Sequence, residues 1–116
     1  MNPFEITDAD RATYHAAASM ASNFLITIEA AAERLATEAG LEHDHARELL
    51  APLVRSTVAN WQTVGPQRAL TGPVVRGDEA TVAAQRDAVA QRAPELLDLF
   101  DVLVGHTRAL AQGVPA

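Results

Sequence analysis

The chain has 116 residues, a formal net charge of −6 and neither cysteine nor lysine. A chain of this length forms one domain with a modest core, and its acidic balance excludes sequence-independent nucleic-acid binding, which needs a basic surface. The absence of cysteine and lysine excludes disulfides, thiolate nucleophiles, cysteine-ligated zinc, Schiff-base catalysis and the phosphate-binding lysine of nucleoside triphosphatases.

The composition also bears on compartment and core. The N-terminus is acidic and lacks the cationic and apolar regions of a secretory signal. The longest uncharged stretch has 17 residues and is too short and too polar to cross a membrane. We therefore expect a cytoplasmic protein that binds neither a membrane nor nucleic acid. The hydrophobic content is 48% but the aromatic content only 4%, which indicates a core of alanine, leucine and valine in closely packed helices.

A long first helix is predicted after an extended lead-in over residues 1–7. Asp8 or Asp10 can cap its N-terminus, and Gly40 supplies its stop. A helix of about 28 residues spans about 42 Å, more than the core of this domain can cover, so we expect part of it to pack on another chain or domain. Its apolar face comprises Tyr14, Ala17, Met20, Ala21, Phe24, Ile28, Ala31 and Leu35.

The uncharged stretch lies within this helix, from Ala12 to Ile28, and carries a stripe of polar residues on one face. These residues are His15, Ser19, Ser22 and, just beside them, Asn23. Because a helix that meets water normally shows charges, the pattern predicts burial on nearly all sides. The stripe then faces a neighbouring helix, a partner subunit or the wall of a ligand cleft.

A second helix is predicted from the apolar periodicity that follows the segment LEHDH. Pro52 lies inside this pattern and either kinks the helix or restarts it; we expect a kink, because the apolar face continues in phase. Trp61 is expected to pack in the core. The periodic residues are Leu49, Leu50, Leu53, Val54, Thr57, Val58 and Trp61.

Residues 63–78 form a glycine- and proline-rich connection, predicted to hold one helical turn over Pro66 to Leu70 and turns at residues 72–73 and 76–78. Asp78 is placed to cap a third helix, from Glu79 to Gln91. A fourth helix runs from Pro94 to Gln112. We therefore predict an all-α bundle of four main helices in a single domain over residues 8–112, with a short tail at 113–116. Its last helix presents a core face of Leu96, Leu97, Leu99, Phe100, Leu103, Val104 and Leu110.

Few patterns indicate chemistry. Gly72 and Gly77 have the spacing of a phosphate-binding loop, but Asp78 stands where lysine is required and no strand precedes. The adjacent donors of residues 43–45 are interpreted as a solvated start of the second helix rather than a metal site, which needs three or four ligands. His15 is interpreted either as an acid, a base or a substrate contact, or as a core histidine bonded to Ser19 or to a backbone carbonyl.

Two segments carry a resemblance to a known family. YHAAASMASNFL at residues 14–25 and ALTGPVVRGD at residues 69–78 resemble the C-terminal helical domain of Rossmann-like oxidoreductases, domain of unknown function 2520. The likeness covers residues 3–112. The overall plan is similar to pyrroline-5-carboxylate reductase and the 6-phosphogluconate dehydrogenase superfamily, in which the helical domain dimerises and closes over the substrate.

The resemblance implies roles for both segments. It places His15 as a catalytic residue and Ser19, Asn23, Thr71, Gly72 and Arg76 as substrate-binding residues. It also brings Pro73, Gly77 and Asp78 into the second motif. A dinucleotide-binding domain precedes the helical one in such proteins, so residues 1–7 are expected to lead in from a missing domain, and NAD(P) is implied for that domain.

The function expected from the resemblance is a dimerisation and substrate-side helical domain of an NAD(P)-dependent oxidoreductase, inactive alone. No cofactor and no metal is expected to bind this chain by itself. The expected partners are a second copy and a Rossmann domain, in the same protein or in a separate chain. The alternative is a free-standing helical homodimer or interaction module without redox activity.

Overall fold

The computed structural model describes residues 5–113, and within that range every regular element is helical. The all-α prediction is confirmed. Most of the predicted lead-in over residues 1–7 and of the predicted tail over residues 113–116 lies outside the described residues. None of the described helices is long and apolar enough to cross a membrane.

Seven α-helices and two one-turn 3₁₀ helices make up the described part of the chain. The 3₁₀ helices lie at Asp8–Asp10 and Pro94–Leu96. The α-helices are α1 (Arg11–Ala21), α2 (Asn23–Glu38), α3 (His43–Val64), α4 (Pro66–Ala69), α5 (Pro73–Arg76), α6 (Glu79–Arg92) and α7 (Leu97–Ala111).

The predicted long first helix is two helices, divided at Ser22. The backbone of Ser22 has φ −122° and ψ −75°, although its N–H still donates to the Ala18 carbonyl (3.0 Å) and its carbonyl accepts from Ile26 N–H (3.1 Å). The Thr27 hydroxyl donates to the Asn23 carbonyl beside the break (3.2 Å), a bond that bends helices. The prediction of four main helices is therefore wrong: five described helices exceed ten residues.

The chain divides into two units, the first ending at Ala32 and the second beginning at Glu33. Within the first unit, no described residue of α1 or α2 is buried; Ser19, Leu25, Glu29, Ala31 and Ala32 are half-buried. The predicted burial of residues 12–28 on nearly all sides is wrong for this chain. The first unit consists of one helical segment and a 3₁₀ turn, so it contains no second long helix of its own to cover these faces.

The start of α1 differs from its predicted cap. Asp10 occupies the N-cap position with φ −98° and ψ 0°, a helical rather than an extended conformation, and makes no capping hydrogen bond. Its carboxylate accepts instead from the Thr7 hydroxyl (2.8 Å), and Asp8 pairs with Arg11 (2.6 Å). The predicted capping bond from either aspartate is wrong, because the 3₁₀ turn holds both side chains in other pairs.

In the second unit, the end of α2 and the start of α3 follow the sequence signals closely. Gly40 has φ +108° and donates to the Thr37 carbonyl, while Leu41 N–H donates to the Ala36 carbonyl, so the predicted glycine stop is confirmed. Arg47 of α3 donates twice to the Glu33 carboxylate, at 3.0 and 3.2 Å. α3 continues through Pro52, so a restart at that residue is excluded.

The core of the second unit lies where α5, α6 and α7 contact one another. Val82 and Val89 of α6 and Ala93 beyond it are buried, as is Ala46 of α3. The predicted core face of α7 is its half-buried side. Trp61, however, is 55% exposed, so its predicted place in the core is wrong. The apolar periodicity of α3 was correct, but no described neighbour covers this part of it.

Two ion pairs fix α6 against α7 in an antiparallel register. Arg86 donates to both carboxylate oxygens of Asp101 (2.9 and 3.0 Å), and Arg108 donates to Glu79 (2.5 Å). One pair lies near the start of α6 and the other at its middle, so a shift of either helix by one turn would break both. These pairs are exposed and select the register more than they add stability.

Candidate functional site

The sequence-predicted site residues lie in both units. His15, Ser19 and Asn23 belong to the first unit, and Thr71, Gly72 and Arg76 belong to the second. Each group is described within its own unit. That residues of both motifs bind the substrate, as the resemblance implies, therefore stays a prediction.

The first motif forms an exposed polar stripe along the N-terminal helical segment. His15 and Ser19 lie one turn apart on α1, and Asn23 is the first residue of α2. His15 and Asn23 are exposed and Ser19 is half-buried. The His15 imidazole makes no hydrogen bond to another described side chain or carbonyl, and its ring centroid lies 6.0 Å from that of Tyr14. The interpretation of His15 as a buried core histidine is therefore wrong for this chain.

The chemistry available on this stripe is hydrogen bonding by a hydroxyl, an amide and an imidazole. The hydroxyl and the amide offer donors and acceptors without charge, and the imidazole nitrogens can donate or accept a hydrogen bond. The Asn23 main-chain carbonyl already accepts a hydrogen bond from the Thr27 hydroxyl. Asn23 therefore offers a ligand its side-chain amide. Such a set suits a polar ligand with carbonyl, hydroxyl or imine groups.

The second motif is a tightly defined loop around the single helical turn α5. Pro73 begins this turn after Gly72, which has φ +92°, and Gly77 ends it in the left-handed conformation with φ +70°. Asp78 N–H donates to the Pro73 carbonyl (2.9 Å), and Gly77 N–H donates to the Val74 carbonyl (3.2 Å). The predicted turns at residues 72–73 and 76–78 are the two ends of this helix. Proline at the first helical position and glycine after the last are the signal that could have identified it.

Asp78 holds this loop to α6. Its carboxylate accepts from the Thr81 hydroxyl (2.7 Å) and the Thr81 backbone N–H (3.2 Å), which confirms the predicted cap. These two bonds, the hydroxyl first, hold the pKa of the Asp78 carboxyl below its ordinary value. The Asp78 carboxylate therefore anchors the loop to α6. Arg76, the last residue of α5, is the cation of this loop. Arg76 is exposed and forms no salt bridge with another described residue.

The segment of residues 43–45 lacks the geometry of a metal centre. His43, Asp44 and His45 are exposed at the start of α3, and His45 Nδ1 lies 3.4 Å from a Glu42 carboxylate oxygen. Across the described part of the chain, no three histidine, aspartate or glutamate side chains are gathered as metal ligands would be. Residues 43–45 are therefore the solvent-exposed start of α3.

A groove that sequence reasoning missed lies in the second unit between the end of α2 and helices α6 and α7. Its volume is about 620 Å³. The Arg92 guanidinium crosses one end and donates to the Glu38 carbonyl (2.7 Å). No motif marks this groove, since its lining combines the end of α2 with α6 and α7, which lie more than 40 residues later in the chain. The lining residues are Leu35, Glu38, Ala39, Gln85, Ala88, Val89, Arg92 and Phe100.

Comparison with known protein families matches nearly the whole chain. The family model described as Domain of unknown function (DUF2520) matches residues 1–107, all but the last nine of the 116 residues. None of the curated proteins compared matches the chain, and neither does any of the solved structures compared.

Proposed function

We propose, starting from the fact that the chain belongs to the DUF2520 family, that it is the dimerisation and substrate-side helical domain of a Rossmann-like NAD(P)-dependent oxidoreductase. The observation that carries this proposal is the N-terminal helical segment, which presents an apolar face and a polar stripe and has no buried described residue. A helix with two such faces needs something to cover the first and something to bind at the second.

The proposed fold is that of the C-terminal domain of the 6-phosphogluconate dehydrogenase superfamily. Support comes from the all-helical architecture, from the long N-terminal helical segment and from the resemblance of residues 14–25 and 69–78 to such domains. The chain lacks the clustered glycines that bind a dinucleotide after a strand, so NAD(P) is assigned to a Rossmann domain in the same protein or in a separate chain. The helical chain is inactive without that domain.

The proposed chemistry divides between cofactor and chain. Bound NAD(P) supplies or accepts the hydride. His15 holds or releases the proton that accompanies it, and Ser19 and Asn23 orient the substrate by hydrogen bonds. Thr71, Gly72 and Arg76 complete the substrate site from the second motif, in which Arg76 offers a cation to an acidic group of the substrate.

The test is to combine the chain with a Rossmann domain encoded in the same gene or in a neighbouring reading frame, and to follow NADPH oxidation with a panel of cyclic imines and oxo acids. We expect His15→Ala to lower kcat by about 100-fold or more, the usual contribution of general acid–base catalysis. Helix content and melting temperature should not change, because His15 is exposed.

The matched control is His106→Ala, an exposed histidine of α7 outside both motifs. Equal turnover in the wild type and both variants would contradict the role of His15. A complex with no NADPH oxidation on any substrate of the panel would favour the second candidate, a free-standing homodimer or interaction module. The exposed apolar side chains of α3 support that candidate, since they require a partner but no cofactor.

A further inference from the structure

The large apolar side chains that remain exposed are concentrated on α1, α2 and α3. Ten of them are 37–67% exposed. Seven of them, all except Ile26, Val58 and Trp61, belong to the two faces described next; with roughly 100 Å² of apolar surface left on each, these seven amount to about 700 Å² per chain, close to the roughly 800 Å² that one partner contributes to a stable interface. The ten are Tyr14, Met20, Phe24, Ile26, Ile28, Leu49, Leu53, Val58, Trp61 and Val64.

On α3 some of the exposed residues form a continuous stripe without charge, which we call the α3 stripe. It comprises Leu49, Leu53, Ser56, Asn60 and Val64, at spacings of three and four residues, and these fall within about 80° of the helix circumference. From Leu49 to Val64 the stripe is about 22 Å long. A stripe of this kind, mainly apolar with a single amide, is typical of a helix that packs along a second helix, and the amide selects the register of the pair.

The N-terminal segment, which comprises α1 and the part of α2 up to Ile28, carries an apolar face. This face matches the α3 stripe in length and complements it in side-chain size. From Tyr14 to Ile28 it extends about 21 Å and has no charged residue. Small side chains, Ala17 and Ala21, lie between the large ones, so they leave room for the leucines of the α3 stripe. Since neither face carries a charged side chain, their contact buries no pair of like charges.

We infer that in the homodimer, on which the proposed function also rests, the N-terminal segment of each copy covers the α3 stripe of the other. A two-fold axis repeats this contact, so one arrangement covers both faces in both copies. Pairing the N-terminal segments with each other would leave both α3 stripes exposed. A second copy is the occupant because every chain supplies both complementary faces and their area suffices for a stable dimer.

The test uses the natural absence of cysteine. Two differently tagged copies, one Phe24→Cys and the other Leu53→Cys, are mixed, allowed to exchange and treated with a short bismaleimide. Phe24 and Leu53 each lie about 5 Å from the middle of their faces, so their heights along the helices differ by at most about 10 Å in either helix direction. Each chain carries one cysteine, so every cross-link joins two copies. We expect the mixed cross-link to exceed by at least tenfold that formed when Arg55→Cys, on the opposite side of α3, replaces Leu53→Cys.

Both substitutions replace side chains that are more than half exposed, and Ala21→Cys on the same face replaces Phe24→Cys if that variant loses helix content. If the chain is a dimer but Phe24→Cys cross-links to Leu53→Cys no better than to Arg55→Cys, the proposed contact between the N-terminal segment and the α3 stripe is wrong, although the homodimer is retained. A monomer would overturn both, because the two faces would then be left to another protein, such as a nucleotide-binding domain.

Discussion

The N-terminal segment and the α5–α7 region are both helical and reach opposite degrees of burial. The first has no buried described residue, whereas Val82 and Val89 of α6 are buried against their neighbours. The α5–α7 region also has a helix cap at Asp78 and two ion pairs between α6 and α7. Among the residues that the structure describes, the N-terminal segment has only local helix and turn bonds.

This contrast separates what helices need to form from what they need to be stable. Alanine-rich sequence forms a helix in both regions, but helices in water gain most of their stability from packing. The α5–α7 region obtains that packing within the chain. In the proposed homodimer the N-terminal segment obtains it from the second copy, so substitutions in the two regions should affect different measurements.

The largest effect is expected from a charge on the α3 stripe. Leu53→Asp places a carboxylate where the partner would dehydrate it, and we expect the dimer dissociation constant to rise at least 100-fold. Light scattering across a concentration series measures it. Helix content should be retained, since Leu53 is 64% exposed within the chain. Arg55→Asp, on the opposite side of α3, serves as the control, and equal dissociation of both variants would contradict an interface on the stripe.

A smaller effect, on stability within the chain, is expected from the core of the second unit. Val89→Ala removes two methyl-sized groups from a buried site, which should lower the free energy of unfolding by about 2 kcal/mol and the melting temperature by about 10 °C. The control is Val102→Ala on α7, which is 57% exposed and should change the melting temperature little. A thermal melt of both variants distinguishes them, and equal shifts would contradict the assignment of this core.

The smallest effect is expected at the cap of α6. Asp78→Ala should lower the melting temperature by about 4–8 °C, while Asp78→Asn, whose single amide oxygen can still accept from the Thr81 backbone N–H, should lower it less. Because the folded state holds the pKa of Asp78 below its ordinary value of about 4, its charge stabilises the fold above that pH. The difference between wild type and Asp78→Ala should therefore shrink as the pH falls through the lowered pKa. A difference that stays constant from neutral pH to well below that pKa would contradict this account.

Local signals were sufficient for most helix boundaries. Glycine at residue 40, aspartate at residue 78 and prolines at residues 66 and 94 act on the neighbouring backbone, so the stop of α2, the cap of α6 and the starts of α4 and the Pro94–Leu96 turn were predicted. The break at Ser22 was not, because nothing about an isolated serine distinguishes it from the serine at residue 19.

Burial was predicted less well because it depends on what lies opposite a face. The periodicity of Leu49, Leu53 and Trp61 identifies an apolar face but not whether this chain covers it. The same holds for His15, whose uncharged surroundings in the sequence indicated burial although the side chain is exposed. The second motif was identified by its resemblance, and the structure adds that Asp78 anchors the loop while Arg76 remains exposed.

The mass of the unmodified chain in solution tests most directly whether the exposed helical faces are covered by a second copy. Sedimentation equilibrium from low to high micromolar concentration should give twice the chain mass of 12.3 kDa. A mass of 12.3 kDa throughout that range would contradict the homodimer.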